Sequence, residues 1–328
     1  MLQSEVVFSR FFNPLIPDWL FYRTEAGKKH RKSIEMLHAF TMQVINEKIK
    51  QRTENSGKQE EDEAGEDNDF EEKRKNNIYL SNRKRLAFMD LLIDAYLDQS
   101  GESSGHARID IEGIREEVDT FMFEGFDTTA AAVSWIIFML GHHQECQQLV
   151  YDEIEQVLGS SGDLNSPIDQ KCLTQFKYLE ACVKEGLRLF PSVPMIGRKL
   201  QSDVNFGSFR VPRNTTTVVY LYGLHRDPHS FPDPENFLPQ RFLGDQSHQR
   251  HPFAFIPFSG GSRNCIGQRF ALIEIKIMLL YLIRNFHIQS TIPLDQVSIC
   301  IELITRPKSK LGVRLTPRNA TTMTATLS

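Results

Sequence analysis

A mainly α fold with a minor β portion is predicted, and three observations predict it. Long stretches around residues 25–50, 109–142 and 175–190 repeat apolar residues at the three-and-four spacing of helices. Short β-branched or alternating segments, such as 206–209 and 215–221, lie among prolines and glycines in the second half. A glycine-containing loop at 258–267 carries Cys265 toward an apolar stretch in which Phe270, Ile273, Ile277 and Leu280 recur at helical spacing.

Composition bounds what such a fold can do. The chain has 328 residues, 40% of them hydrophobic, enough to bury a substantial core in one large domain or two. Its net charge of −4, with mixed signs, argues against a nucleic-acid-binding face. No run of eighteen or more apolar residues and no basic-then-apolar start is present, so neither a membrane span nor a secretory signal is expected from these residues. The cysteines at 146, 172, 182, 265 and 300 are odd in number and lack a C-x-x-C pair, which disfavours a zinc cage or a disulfide framework. The sequon at Asn214 reads as accidental, because a working thiolate favours a reducing compartment.

Residues 1–23 hold an aromatic cluster, Phe8, Phe11, Phe12, Trp19, Phe21 and Tyr22, interrupted by Pro14 and Pro17, which reads as a connecting segment packed on the core. Ile34, Leu37, Phe40, Val44 and Ile45 give an amphipathic helix over 25–50. Residues 51–77 are almost wholly polar and are expected to be a disordered loop. A short helix over 85–97 precedes the long helix of 109–142, and a charged helix is expected over 145–158.

On the long helix, Glu124, Asp127 and Thr128 are three and four residues apart and share a face. Gly125 permits close approach of another group there. An acid beside an alcohol can relay protons; equally, these can be surface polar residues, with Thr128 bonding back to a carbonyl. Glu185 and Arg188, at i and i+3, can pair on one face of the helix over 175–190. Pro191 and Pro194 then break that helix and start an extended strand with Val193, Met195, Ile196 and Arg198. A turn-rich meander follows through 225–235, a terminal β-hairpin region is expected over 286–304 and 311–315, and 321–328 is expected to be disordered.

Cys265 is placed by this reading at a helix N-terminus, where unpaired N–H groups and the helix dipole favour a thiolate. A buried cysteine in an ordinary strand-to-helix turn would give the same local pattern. Phe258, Gly261, Arg263, Cys265 and Gly267, however, form F-x-x-G-x-R-x-C-x-G. This resembles the haem-binding signature of the cytochrome P450 superfamily. Three more stretches resemble superfamily motifs in the expected order: Gly125-x-Asp127-Thr128-Thr129, Glu185-x-x-Arg188 and Pro239-Gln240-Arg241-Phe242.

The resemblance implies the haem-thiolate P450 fold, incomplete at the amino terminus, with a single domain over 1–320 and a tail over 321–328. It implies haem b as cofactor, Cys265 as the axial iron ligand, Arg198 and Arg263 on the propionates, Phe258 beside the sulfur and Gly267 leaving room there. It makes Asp127 and Thr128 the proton relay, and Glu185, Arg188 and Arg241 a buried supporting triad. Gln240 stands where the superfamily usually has Glu.

The stretch from Glu117 to Thr129 looks like family 4, the fatty-acid omega-hydroxylase branch. There the equivalent of Glu124 is esterified to the haem, and His usually occupies the place of Phe126. The implied activity is insertion of one oxygen atom from O2 into a C–H bond of a lipophilic substrate, with Val193, Met195 and Ile196 lining the pocket. The implied partners are NADPH-cytochrome P450 reductase, cytochrome b5 and a membrane surface, at the cytosolic face of the endoplasmic reticulum; residues 1–23 would then lie over the substrate channel. Lys184, Arg269 and Lys276 are candidates for docking the reductase. A non-catalytic fragment unable to hold haem, or an epoxidase or dealkylase on the same scaffold, would carry the same motifs.

Overall fold

Apolar periodicity becomes helix over most of the chain in the computed structural model, which describes residues 17–63, 87–97, 109–159, 168–244 and 250–318. The helices are α1 (Asp18–Phe21), α2 (Glu25–Glu63), α3 (Phe88–Leu97), α4 (Ile111–His142), α5 (Gln144–Leu158), α6 (Gln170–Leu173), α7 (Lys177–Leu189), α8 (Leu221–Leu224) and α9 (Gln268–Asn285). The expected loop over 51–77 is corrected in its first half, because α2 continues to Glu63. Gln, Arg, Lys and Glu dominate that extension and no proline interrupts it, and such residues propagate a helix already nucleated at little cost. The rest of that loop, the aromatic residues before Pro17 and the expected tail over 321–328 lie outside the described residues.

The chain, expected to be one domain over 1–320, divides into two compact units, one ending at Glu124 and one beginning at Gly125, with α4 running through the division. In the first unit, Ile45, Ile93 and Ile114 are buried. The Thr41 hydroxyl donates to one oxygen of Asp119 and Arg115 donates to the other, both at 2.6 Å. Arg52 grips Asp94 through two N–H groups at 2.8 and 2.6 Å.

In the second unit, Ile136, Met139 and Leu140 of α4 pack with Val150 and Ile154 of α5, Leu179 and Val183 of α7 and Leu279 and Ile283 of α9. Helices α4 and α7 approach so closely at Gly186 that an added Cβ would sit 2.4 Å from Cγ1 of Ile136. Trp135 lies flat on Phe190, ring centroids 4.1 Å apart, and its indole N–H donates to the carbonyl of Thr305 at 3.0 Å.

The β portion comprises two-stranded antiparallel ladders. Strand β1 (Met195–Lys199) pairs with β4 (Thr216–Tyr220), with Met195 opposite Tyr220. Strands β2 (Val204–Phe206) and β3 (Phe209–Val211) form a hairpin. The expected terminal hairpin is two ladders: β5 (Phe286–Ser290) pairs with β8 (Val313–Pro317), and β6 (Ile299–Ile301) pairs with β7 (Thr305–Pro307). The Gln147 side chain fixes the outer ladder to α5, donating to the carbonyl of Ile288 at 2.8 Å and accepting from its N–H at 2.9 Å.

The second unit is tied together by buried charge. Glu185 and Arg188 on α7 are fully buried, and Arg188 donates twice to the Glu185 carboxylate, at 2.7 and 2.8 Å. Its remaining N–H groups go to the carbonyls of His225, Pro234 and Asn236, which uses all five donors of the guanidinium. Arg241 donates to Glu185 at 3.3 Å and to the carbonyls of Pro232 and Asp233, and the N–H of Leu238 adds a 2.8 Å bond to the same carboxylate. One carboxylate on α7 thereby holds the meander that leads to the cysteine loop.

His225 supports the next segment, its Nε2 accepting from the N–H of Ile256 at 3.0 Å. Only neutral imidazole can accept there. Burial, reinforced by the nearby Arg188 and Arg226 guanidiniums, pushes its pKa down to about 3.

Replacement of Glu185 by Leu strands two buried guanidiniums and is expected to cost about 3–5 kcal/mol, read as a lowered urea midpoint. The His225 contribution to stability is complete above the ordinary histidine pKa of about 6.5 and is lost as pH falls toward about 3. Between pH 6.5 and 5, before most carboxylates titrate, the unfolding midpoint is expected to drop, and His225→Gln to flatten that drop.

Candidate functional site

The chain leaves the meander at Ile256 and turns sharply around Cys265. Ser259 and Gly261 both adopt positive φ, at 65° and 76°, and a short 3-10 turn spans Gly261–Arg263. The loop closes where the N–H of Cys265 donates to the carbonyl of Phe258 at 2.9 Å. Phe258 is half-buried against the core and so anchors one side of the turn. The thiol-bearing residue is exposed. An expectation is corrected in detail: α9 begins at Gln268 with Gly267 as its N-cap, so Cys265 precedes the cap by two residues and does not occupy the first turn. A Cβ at 267 would lie 3.9 Å from Sγ, at ordinary van der Waals distance, so the glycine stands next to the sulfur without being required by the space there.

Two guanidiniums and an apolar surface border this loop. Arg198, exposed on β1, donates to the hydroxyl of Ser259 at 3.0 Å and reaches the carbonyl of Arg263 at 3.5 Å, so β1 and the cysteine loop are joined through it. Arg263 is itself exposed. Ile266 and Phe270 are 82% and 71% exposed, which gives the surface after the thiol strong apolar character. A soft sulfur donor, two cations suited to carboxylates and an apolar surface together fit a flat iron porphyrin with acidic substituents. Haem is therefore compatible with the residues present, with Cys265, Arg198, Arg263, Phe258 and Gly267 the ones that would hold it.

The expected relay residues are held by partners that sequence reasoning did not identify. Asp127 forms an ion pair with Arg306, whose terminal nitrogen reaches both carboxylate oxygens, one of them at 2.5 Å. The hydroxyl of Ser192 donates to the carbonyl of Thr128 at 2.8 Å. Arg306 lies 179 residues from Asp127 on a three-residue strand with no motif, so nothing local marked it. Glu124 is exposed and belongs to the first unit. Phe126, standing where family 4 usually has His, is 75% exposed. Val193, two residues before β1, and Met195 and Ile196 on the strand that carries Arg198 are each half-buried.

Glu185, Arg188 and Arg241 are brought together as described, while Gln240 is exposed and outside the network. Lys276 is corrected as a docking residue. It is buried and donates to Glu180 at 2.6 Å, and Lys184 pairs with that carboxylate at 2.7 Å. Burial alone would raise the Glu180 pKa, but hydrogen bonds from Lys184 and Lys276 outweigh it and hold the carboxyl at about 2. Arg269 is exposed.

Comparison with known proteins places these features in a family. The chain matches the family described as Cytochrome P450 over residues 3–313. It is 42% identical over 307 residues to cytochrome P450 4c3 of Drosophila melanogaster, covering 92% of this chain and 54% of that protein. It is 40% identical over 320 residues to cytochrome P450 4V2 of Homo sapiens, covering 97% of this chain and 56% of that one. The Mus musculus cytochrome P450 4V2 is 39% identical over 317 residues, with 96% and 56% covered. The chain thus spans just over half the length of these curated relatives. With the cysteine loop, the long helix and most of the second unit inside that match, the chain belongs to the cytochrome P450 family and is similar to its family-4 members.

Proposed function

We propose that this chain carries the haem and proton-delivery portion of a haem-thiolate monooxygenase acting on a lipophilic substrate. The observation that carries the reading is the Cys265 loop: an exposed cysteine on a closed turn, bordered by Arg198 and Arg263. The reaction consumes one O2, two electrons and two protons, placing one oxygen atom in a substrate C–H bond and the other in water. Bound haem supplies dioxygen activation, which amino-acid side chains do not provide.

The chain's own residues bind, orient and deliver protons. Cys265 would hold the haem iron as a thiolate, Arg198 and Arg263 would pair with the propionates, and Phe258 would back the loop. Thr128 would offer its hydroxyl proton at the face where haem binds, and the Asp127 carboxylate would take a proton from water and pass it on to restore that hydroxyl. Val193, Met195 and Ile196 contact the substrate from the strand leading to Arg198.

Finer parts of the reading rest on the similarity to family 4. They are terminal hydroxylation of a fatty acid, an ester between Glu124 and the haem, electron supply by NADPH-cytochrome P450 reductase with cytochrome b5, and residence at the endoplasmic reticulum membrane. The exposed Arg269 remains the docking cation in this proposal.

The reduced, carbon-monoxide-bound difference spectrum tests the core of it. A thiolate-type Soret band is expected from the chain expressed with haem precursor and is expected to vanish in Cys265→Ala; no such band from the parent chain would overturn the reading. For the ester, wild-type haem should resist extraction by acidic organic solvent, whereas that of Glu124→Ala should extract. Free extraction from the wild type would remove the ester from the proposal.

A further inference from the structure

We infer that Arg306 is the positioning residue for the Asp127 carboxylate beside Thr128, and that strand β7 is built to present it. The inference deepens the proposed monooxygenase reading and rests on it. Its starting point is how firmly β7 is fixed. Thr305, fully buried, is bonded at its carbonyl by the Trp135 indole at 3.0 Å. Its hydroxyl donates to the carbonyl of Pro191 at 2.6 Å, and its N–H donates to the carbonyl of Ser192 at 2.9 Å. Ser192 in turn donates its hydroxyl to the carbonyl of Thr128. Trp135 and Thr128 lie on α4, so the residue before Arg306 is linked to the relay helix directly through Trp135 and indirectly through Ser192.

From that base Arg306 reaches Asp127 and nothing else: among the described residues its side-chain hydrogen bonds go only to that carboxylate. Its Nε is enclosed without a hydrogen-bond partner. The pair is shielded, Asp127 being 15% and Arg306 29% exposed, so the attraction is screened less than on an open surface. One guanidinium nitrogen spans both carboxylate oxygens and fixes the carboxylate relative to the helix. An ionised carboxylate has about four acceptor sites, so capacity remains on Asp127 for the proton traffic that Thr128 requires. A bridge serving only to staple β7 would duplicate what Trp135 and Ser192 already do.

Arg306→Gln keeps the shape and removes the charge. With the haem-loaded chain, reductase and dodecanoic acid as the probe, product formation per electron consumed is expected to fall about 10- to 100-fold, the scale of a misplaced catalytic group. The half-saturating dodecanoic acid concentration and the thiolate-type spectrum should stay unchanged. The missing electrons should appear as hydrogen peroxide, two electrons and two protons per O2, and the solvent deuterium isotope effect should rise. Arg306→Lys should recover part of the loss, since it restores charge without the planar fork, and Asp127→Asn/Arg306→Gln should be no worse than Asp127→Asn alone.

Unchanged coupling of electrons to product in Arg306→Gln, or losses that multiply in the double variant, would overturn the inference. If the parent chain gives no thiolate-type spectrum, the monooxygenase reading fails by itself. The same four proteins in urea unfolding then decide the pairing: about threefold or greater coupling between the two positions in the unfolding constant supports it, and independence removes it.

Discussion

The Glu185 carboxylate is the constraint on which the second unit depends. It accepts two N–H groups from Arg188, one from Arg241 and one from the backbone of Leu238, and it does so with no exposure to solvent. Desolvating three charges is costly, and a well-packed apolar cluster of equal volume could be as stable. What such a cluster could not supply is direction. Three guanidinium donors of Arg188 specify the carbonyls of His225, Pro234 and Asn236, and Arg241 specifies those of Pro232 and Asp233. A meander with little regular structure thereby acquires a single path across α7.

That path determines where the cysteine loop begins. His225 accepts from Ile256 two residues before Phe258, and Phe258 accepts from Cys265, so two hydrogen bonds run in relay from the triad to the loop. The loop carries backbone strain of its own, with Ser259 in the left-handed region where a side chain is disfavoured by about 1–3 kcal/mol. Rigid support on one side and strain on the other are what keep an exposed cysteine at a defined place. A tighter core could have buried it, at the expense of access.

The strongly periodic helices α4, α5 and α7 were legible within two residues of their ends, because each buries an apolar stripe in the core. The motif residues were legible as types, and the Glu185 network follows from pairing rules once Arg241 is added. Three features were not legible, each for a physical reason. Residues 51–63 lack an apolar face, so their helix rests on propensity and on propagation from α2. Lys276 looks like a surface cation in sequence, yet its stem is buried and its ammonium is neutralised by Glu180, a partner 96 positions away. Arg306 sits on a strand too short to show a period, and its partner is set by the fold of β7 against α4.

Donor counting separates carboxylates that hold the structure from one that can exchange protons. Glu185 receives four N–H groups and is saturated. Asp119, on the same helix as Asp127, is bonded on one oxygen by Thr41 and on the other by Arg115, with His38 3.6 Å from the latter. Each of these is fixed by groups from more than one direction, and rotating either breaks several bonds at once. Among the described residues Asp127 leans on a single nitrogen, so its charge is compensated and its orientation held while most of its acceptor capacity stays open to them. A relay acid needs that combination: an ion that is never compensated would be too costly to shield from water, and one compensated on every lone pair could not take up or hand on a proton. Among the described residues the two aspartates of α4 therefore differ not in residue type or helix position but in the number of groups that donate to them.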